Sequence, residues 1–201
     1  LTTQTRRASA ITTRNCRTIS PSIGTATWRA INVKRTIEKT TVAHLAANFF
    51  ESKDGNELRD LLFTATLNKE KPFTIRYPKE QSVNFEKKSP KKIEIGSWEI
   101  LTQGSDILIL AVGSMVSKSL EIHSMLIEKG ISSEVVNCRF IKAMDENYLK
   151  ESLEKYEFVV TIEEGVTHGG FGEGIVNWSN KNNIGNSILT LGVPNRFVDH
   201  G

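Results

Sequence analysis

Residues 106–138, DILILAVGSMVSKSLEIHSMLIEKGISSEVVNC, contain the pattern that decides the fold. The stretch opens with an apolar run at residues 106–112, whose length and lack of alternation are typical of a strand buried on both faces. A helical pattern follows near residues 115–129 and ends at Gly130, and EVVNC at residues 134–138 predicts the next strand. This order predicts a βαβ unit with parallel strands.

The same alternation continues towards the C-terminus. Asp145 is the predicted N-cap of a second helix, and FVVTIEE at residues 158–164 predicts another strand. A third helix should run through Trp178, and ILTLGV at residues 188–193 predicts the last strand. We therefore predict an α/β fold for residues 93–201, with a mainly parallel sheet flanked by helices.

A helix and a strand are predicted before this unit. The turn at Asp54 should lead into a helix from about Asn56, with an apolar stripe formed by Leu58, Leu61, Leu62 and Ala65. FTIRY, residues 73–77, alternates apolar and polar side chains as a half-buried strand does. This alternation places Arg76 on the polar face of the strand.

The region between the two units is predicted to be a linker. Residues 81–92 are charged, contain Pro90 and lack periodicity. Directly after them, KIEIGSWEILTQG at residues 92–104 predicts two short strands around Gly96.

Residues 1–48 give no periodic signal and remain unassigned. They are rich in Thr and Arg, which predicts a loosely structured or aberrant segment rather than a packed element. A basic nucleic-acid arm is the less favoured alternative, because Trp28 is the one aromatic residue interleaved with the charges. A transit peptide is also less favoured. Because the sequence starts at Leu1 rather than Met, we expect a piece of a longer protein.

The composition is that of an ordinary soluble domain. The 201 residues carry a net charge of +3, and no apolar run approaches the roughly 20 residues of a membrane span. Cys16 and Cys138 are too few and too far apart for a disulfide framework or a CxxC metal site. These features predict a cytoplasmic protein with neither a membrane nor a nucleic acid as partner.

The stretch EEGVTHGGFGEG, residues 163–174, raises the question of a ligand site. It lies between a buried strand and a helix, where open α/β sheets bind ligands. However, its glycine spacing does not fit a dinucleotide fingerprint. His168 has no second His or Cys at ligand spacing, and the adjacent Glu163 and Glu164 should point to opposite faces.

We therefore predict a structural strand-to-helix turn rather than a catalytic or metal site. The glycines expected to adopt the special backbone conformations of this turn are Gly169, Gly170 and Gly172. Replacement of Gly170 by Val should cost stability rather than selectively abolish ligand binding.

The other polar candidates are interpreted as structural or surface residues. His123 should be a surface or hydrogen-bonded helix residue, and His44 and His200 have no visible partner. Arg139 and Lys142 follow a strand and could bind an anion, but an ion pair at an interface or one that ties a loop is favoured for Arg139, and the same applies to Lys142.

Seven ordered segments carry a family resemblance: DGNELRDLLFTA, PFTIRYPK, IEIGSWEIL, ILILAVGSMV, VVNCRFIKAMDE, VTIEEGVTHGGFGEG and LGVPNRFVDHG. From about Glu51 to Gly201 the chain resembles the C-terminal third of the 1-deoxy-D-xylulose-5-phosphate synthases, a branch of the transketolase-like thiamine diphosphate enzymes. The resemblance implies that residues 49–80 end a pyrimidine-binding domain and that residues 93–201 form a transketolase C-terminal-like domain.

The resemblance also implies a reaction. Members of this family condense pyruvate with glyceraldehyde 3-phosphate and release CO2, for isoprenoid precursor and thiamine biosynthesis, with thiamine diphosphate and Mg²⁺ as cofactors. The full-length enzyme would be a homodimer, cytoplasmic or, in a plastid-bearing eukaryote, plastidic. The family's cofactor and catalytic motifs have no counterparts in this sequence, so we expect this chain alone to be inactive and to bind no cofactor.

One residue of this sequence matches a substrate-binding position of the family. The Arg of RYP, Arg76, is implied to bind the phosphate of glyceraldehyde 3-phosphate. Tyr77 should face the opposite way and pack, and Lys79 could add positive potential.

Three alternatives stay open. The chain could derive from a transketolase or from a 2-oxo acid dehydrogenase E1 β-type chain, or it could be a non-catalytic α/β dimerisation module. A frame-shifted or wrongly spliced N-terminus is our hypothesis for the departure of residues 1–48 from the family pattern.

Overall fold

The structure is a computed structural model that describes residues 28–33, 48–68, 71–78 and 85–194. Within these ranges the chain forms two β-sheets and four α-helices. In chain order the elements are β1 (Trp28–Val33), β2 (Asn48–Glu51), α1 (Gly55–Leu67), β3 (Phe73–Pro78), β4 (Glu99–Thr102), β5 (Ile107–Ala111), α2 (Met115–Ile127), β6 (Ser133–Asn137), β7 (Phe140–Lys142), α3 (Glu146–Lys155), β8 (Phe158–Val166), α4 (Phe171–Lys181) and β9 (Ser187–Val193). The predicted α/β fold is confirmed.

The five-stranded sheet forms the C-terminal half, in the order β4-β6-β5-β8-β9. Its strands are parallel except β4, which runs antiparallel to β6. The prediction of two short strands around Gly96 is wrong. Gly96 has a φ of +91° and lies in a turn, so that β4 alone forms in this segment.

The four-stranded sheet has the order β1-β3-β2-β7. Strands β2 and β3 are parallel, whereas β1 and β7 pair antiparallel with β3 and β2. The prediction that residues 1–48 hold no packed element is wrong for residues 28–33, which form β1. Residues 1–27 and 34–47 lie outside the described residues.

Two helices begin at the aspartates that the sequence marks as caps. Asp54 accepts a hydrogen bond from the backbone N–H of Glu57 at 2.8 Å, and Asp145 accepts one from Tyr148 at 3.1 Å. Each bond satisfies a backbone donor that the first helical turn leaves unpaired. Leu61 and Ala65 of the predicted α1 stripe are buried.

One hydrophobic core joins the two sheets. The ring of Phe50 on β2 stacks on Phe73 with centroids 4.8 Å apart, and it meets the edge of Phe140 on β7 at 4.5 Å. The same core extends under α3 and α4 through Leu110, Leu153 and Ile175. A second, smaller cluster packs against Leu120 and Leu126 of α2, and its buried members are Ile109, Val135 and Ile162. Strand β7 therefore fastens the four-stranded sheet to the C-terminal half.

Residues 85–92 run without regular structure along α1. The side chains of Asn56 and Asp60 accept hydrogen bonds from the backbone N–H groups of Glu86 and Lys91, at 2.9 and 3.2 Å. The assignment of residues 81–92 as a linker between two domains, at 49–80 and 93–201, stays a prediction.

Candidate functional site

Arg76 lies on β3 beside the carboxyl end of β2. Its Nη1 is 3.3 Å from Oε2 of Glu51, and its guanidinium lies over the ring of Phe49 with 5.9 Å between the Cζ atom and the ring centroid. The Arg76 carbonyl accepts a hydrogen bond from the backbone N–H of Ser52 at 3.1 Å. The Arg76 side chain is 28 % exposed, so it can also reach solvent.

Glu51 is the buried partner of this arginine. The residue is 2 % exposed, and its backbone N–H donates to the carbonyl of Arg139 at 3.0 Å. Burial raises the pKa of Glu51 from its ordinary value of 4.5 to about 7, Arg76 opposes this rise, and the charges of Glu164 and Glu163 add to it. Sequence reasoning missed this role, because a single acid after two phenylalanines belongs to no motif.

Gly113 completes the surroundings of Glu51 from the turn between β5 and α2. Its φ is +60°, and a Cβ atom there would lie 2.5 Å from Oε1 of Glu51. The absence of a side chain thus lets the turn approach the carboxyl group. We call Arg76, Glu51, Gly113, Glu163 and Glu164 the Arg76 cluster. Its members lie near the carboxyl ends of β2 in the four-stranded sheet and of β5 and β8 in the five-stranded sheet. Open α/β sheets bind ligands at the carboxyl ends of their strands.

The glycine loop enters this cluster through Glu163. Oε2 of Glu163 accepts a hydrogen bond from the backbone N–H of Phe171 at 3.0 Å, and Oε1 accepts one from Gly172 at 2.9 Å. The carboxylate therefore occupies the N-terminus of α4, where a phosphate would otherwise be favoured. Sequence reasoning missed this internal cap, since the capping acid precedes the helix by a whole loop.

The three loop glycines have different backbone geometries. Gly169 has a φ of +73°, which favours glycine, whereas Gly170 has an ordinary φ of −85°. A Cβ atom at Gly170 would lie 2.4 Å from the carbonyl oxygen of Val166, and one at Gly172 would lie 2.4 Å from Oγ1 of Thr161. The structure gives positive φ to Gly169 and close packing to the other two, and their effect on stability stays a prediction.

His168 belongs to the surface of the loop. Its Nδ1 is 3.2 Å from Oε2 of Glu173, and its side chain is 79 % exposed. The same Glu173 oxygen accepts a hydrogen bond from the backbone N–H of Gly169 at 2.7 Å. Among the described residues, no group of three or more His, Cys, Asp or Glu is placed to hold a metal ion.

A second charged network surrounds Glu57 on α1. Glu57 is 4 % exposed, accepts a hydrogen bond from Nδ2 of Asn137 at 2.7 Å, and lies 3.5 Å from Nη1 of Arg139. The network extends to Glu99, because Nζ of Lys53 lies 2.8 Å from the Glu99 carboxylate. Burial raises the pKa of Glu57, while Lys53 and Arg139 act to lower it.

Arg139 has the structural role that the sequence favoured. Its Nε and Nη2 donate to the carbonyl and hydroxyl oxygens of Ser97, each at 2.9 Å. The arginine thus ties the Gly96 turn to β7. A cleft of about 320 Å³ lies beside it, lined by both acidic and basic side chains, and Arg76 does not line that cleft.

The remaining sequence candidates do not join the Arg76 cluster. Nδ1 of His123 lies 2.8 Å from the Ser133 hydroxyl, so this histidine is hydrogen-bonded as predicted. Tyr77 is half-buried on β3. His44, Lys79 and His200 lie outside the described residues.

Comparison with known proteins identifies the family. Residues 96–201 match the family described as Transketolase, C-terminal domain, which is more than half of the chain. The chain belongs to this family. The curated relatives are named 1-deoxy-D-xylulose-5-phosphate synthase, which confirms the resemblance found in the sequence: the protein of Aquifex aeolicus is 42 % identical over 149 residues, and that of Dictyoglomus turgidum is 43 % identical over 150 residues. Each match covers 74 % of this chain and 24 % of the relative, so the chain spans about a quarter of the length of these proteins.

Solved structures support the same fold. A split-gene transketolase, described as an inactive β4 tetramer, superposes with a TM-score of 0.66 and 28 % identity, covering 77 % of this chain and 50 % of the other. A transketolase mutant from Pichia stipitis gives a TM-score of 0.50 at 21 % identity over 80 % of this chain and 23 % of the other, which supports the fold alone.

None of the helices in the described part of the chain has the length and apolar character needed to span a membrane. The cytoplasmic or plastid location stays a prediction.

Proposed function

We propose that this chain is the C-terminal part of a thiamine diphosphate-dependent transferase that condenses pyruvate with glyceraldehyde 3-phosphate and releases CO2. The similarity of about 40 % to relatives named as this synthase supports the reaction class. Within that reaction, Arg76 binds the phosphate of the aldehyde acceptor. The observation that carries this assignment is the position of Arg76: a partly exposed guanidinium on β3 that contacts Glu51 at the carboxyl end of β2.

A guanidinium suits this task for a physical reason. Its planar fork of N–H donors matches two phosphate oxygens at once, and charge-assisted bonds of this kind are about twice as strong as neutral ones. The contact with the buried Glu51 holds Nη1 of the guanidinium in position. The Phe49 ring packs against the guanidinium and limits its movement further.

The thiamine diphosphate and Mg²⁺ of the reaction do not fit the described residues. In the described ranges, no group of three or more His, Cys, Asp or Glu is placed to hold a metal ion such as the Mg²⁺ of the diphosphate. The N-terminus of α4 is taken by Glu163. We therefore assign cofactor binding to the parts of the relatives that this chain does not span, and we expect the isolated chain to be inactive.

A transfer of this region into a relative tests the proposed function. Residues 48–201 would replace the corresponding part of the Aquifex aeolicus synthase, and product formation from pyruvate and glyceraldehyde 3-phosphate would be measured against the parent enzyme. We expect a folded chimera that binds thiamine diphosphate and makes the product. A folded chimera that binds the cofactor but uses only the substrates of a transketolase would contradict the proposal.

A second candidate is a non-catalytic assembly module. The observation that favours it is the similarity to a solved transketolase chain described as an inactive β4 tetramer. On this reading the chain forms a homodimer or larger assembly, as the full-length enzyme would. Sedimentation equilibrium of the 201-residue chain tests this candidate, and a monomer at all concentrations would exclude it.

A further inference from the structure

The contact between Glu51 and Arg76 joins a buried acid to a partly exposed base. The Glu51 side chain is 3 % exposed and that of Arg76 is 28 % exposed, with 3.3 Å between Oε2 and Nη1. The turn at Gly113 closes over Oε1 of Glu51. Glu51 therefore cannot move into solvent without opening this turn, whereas the guanidinium can meet a solute from outside.

The charges around this pair oppose the binding of an anion. The carboxyl group of Glu51 on β2 lies 3.3 Å from the guanidinium of Arg76 on β3, and the charges of Glu163 and Glu164 on β8 act on that carboxyl group. The N-terminus of α2, which follows the turn at Gly113, contributes only a partial positive charge beside Glu51. A phosphate at Arg76 would thus raise the density of negative charge next to the buried Glu51 carboxyl group.

One of the three carboxyl groups can remove this conflict. Glu163 is committed to the backbone N–H groups of Phe171 and Gly172. Burial raises the pKa of Glu51 to about 7, so this carboxyl group takes up or releases a proton near neutral pH. When Glu51 is protonated, packing against Phe49 still holds the Arg76 side chain in place. The negative charge closest to an incoming anion is then removed.

We propose that Glu51 is a positioning residue for the anion site at Arg76, and that a tetrahedral dianion binds Arg76 together with a proton on the Glu51 carboxyl group. This inference rests on the proposed phosphate role of Arg76 and adds its regulation by pH. Binding is strongest below the midpoint of the Glu51 titration and weakens above it. Because one proton is coupled, affinity falls by at most about tenfold per pH unit.

Sulfate is the probe of choice, since it stays a dianion between pH 5 and 9 and any pH dependence then belongs to the protein. The carboxyl ¹³C shift of Glu51 would be followed by NMR across this range in the full 201-residue chain, with sulfate or with chloride at equal ionic strength. The Nε–H signal of Arg76 reports sulfate binding in the same samples. Arg76→Gln and Arg76→Lys serve as variants, compared through their ¹H–¹⁵N spectra.

We expect sulfate to move the Glu51 midpoint upward in the wild type and to leave it unchanged in Arg76→Gln. Saturable binding at Arg76 without any movement of the Glu51 midpoint would overturn the coupling and leave the phosphate role of Arg76 standing. An Arg76 signal that does not respond to sulfate would overturn both. The wild-type titration decides between these results even if neither variant folds.

Discussion

The carboxylate of Glu163 accepts a hydrogen bond from the backbone N–H of Gly172 at 2.9 Å, so this residue of β8 caps α4, the helix that follows the strand. This contact explains the composition of the loop between them. The chain must turn back sharply for Glu163 to meet α4, and the positive φ of Gly169 permits that turn. The two backbone N–H groups at the start of α4 thus bind the Glu163 carboxylate of the same chain.

Removal of this cap should destabilise the chain. Glu163→Ala leaves two backbone N–H groups at the start of α4 without their acceptor, and we expect a loss of about 1–2 kcal/mol in the free energy of unfolding. Urea denaturation followed by circular dichroism measures it. Glu151→Ala, at an exposed position of α3, is the matched control and should change stability by less than about 0.5 kcal/mol. Equal effects of the two variants would show that Glu163 does not act as a cap.

The close approach at Gly172 gives a second prediction. A Cβ atom there would meet Oγ1 of Thr161 at 2.4 Å and Cγ2 of Thr190 at 2.9 Å, so Gly172→Ala should cost about 1–3 kcal/mol. Gly174 lies on the same helix with nothing within 4 Å of its Cβ position. Gly174→Ala should therefore stabilise the chain by about 0.5–1 kcal/mol. Thermal melts of both variants test the difference in sign, and destabilisation by both would contradict it.

The network around Glu57 should depend on Arg139. Arg139→Met removes one of the cations that face the buried Glu57 carboxylate and both bonds to Ser97, and we expect a loss of about 2–4 kcal/mol. Lys118→Met breaks an exposed ion pair with Glu121 and should cost less than about 0.5 kcal/mol. Chemical denaturation at pH 7 compares the two. A loss of similar size for both would mean that burial adds nothing to the Arg139 contacts.

The Glu51 carboxyl group should make stability depend on pH. Its pKa is about 7 in the folded chain against 4.5 ordinarily, so the folded state binds more protons between these values and stability falls as pH rises from 4.5 to 7. Glu51→Gln mimics the protonated form and should remove this loss, which is on the order of 3 kcal/mol at most. The free energy of unfolding of both proteins, measured from pH 5 to pH 8, gives the difference. Parallel pH profiles would show that Glu51 does not titrate in this window.

Sequence patterns predicted the strands at the centre of the five-stranded sheet. The apolar run at residues 106–112 and the run before Glu163 became β5 and β8, since a strand with neighbours on both sides buries mostly apolar side chains. Strand β7 escaped prediction because it has three residues, and its pairing with β2 supplies its structure. Strand β1 likewise depends on β3. A strand that forms by pairing with a strand distant in sequence needs no periodic apolar pattern of its own, so its residues carry no local signal for prediction.

The candidate site was predicted only in part, because several of its contacts also join residues that are far apart in sequence. Resemblance to the family pointed to Arg76, and alternation placed it on the polar face of β3. The roles of Glu51 and Gly113 arise from a contact between two parts of the chain that are far apart in sequence, and neither residue belongs to a motif. Burial, which creates the unusual pKa of Glu51, is a property of the folded chain alone.

The most direct test of the central claim is the kinetics of Arg76→Ala in the chimera with the Aquifex aeolicus synthase. Loss of charge-assisted bonds to the phosphate should raise the KM for glyceraldehyde 3-phosphate by about 10- to 100-fold and leave the KM for pyruvate unchanged, because pyruvate has no phosphate. Lys118→Ala, on the exposed face of α2, should change neither value. An unchanged KM for glyceraldehyde 3-phosphate, or an equal rise for both substrates, would contradict the account.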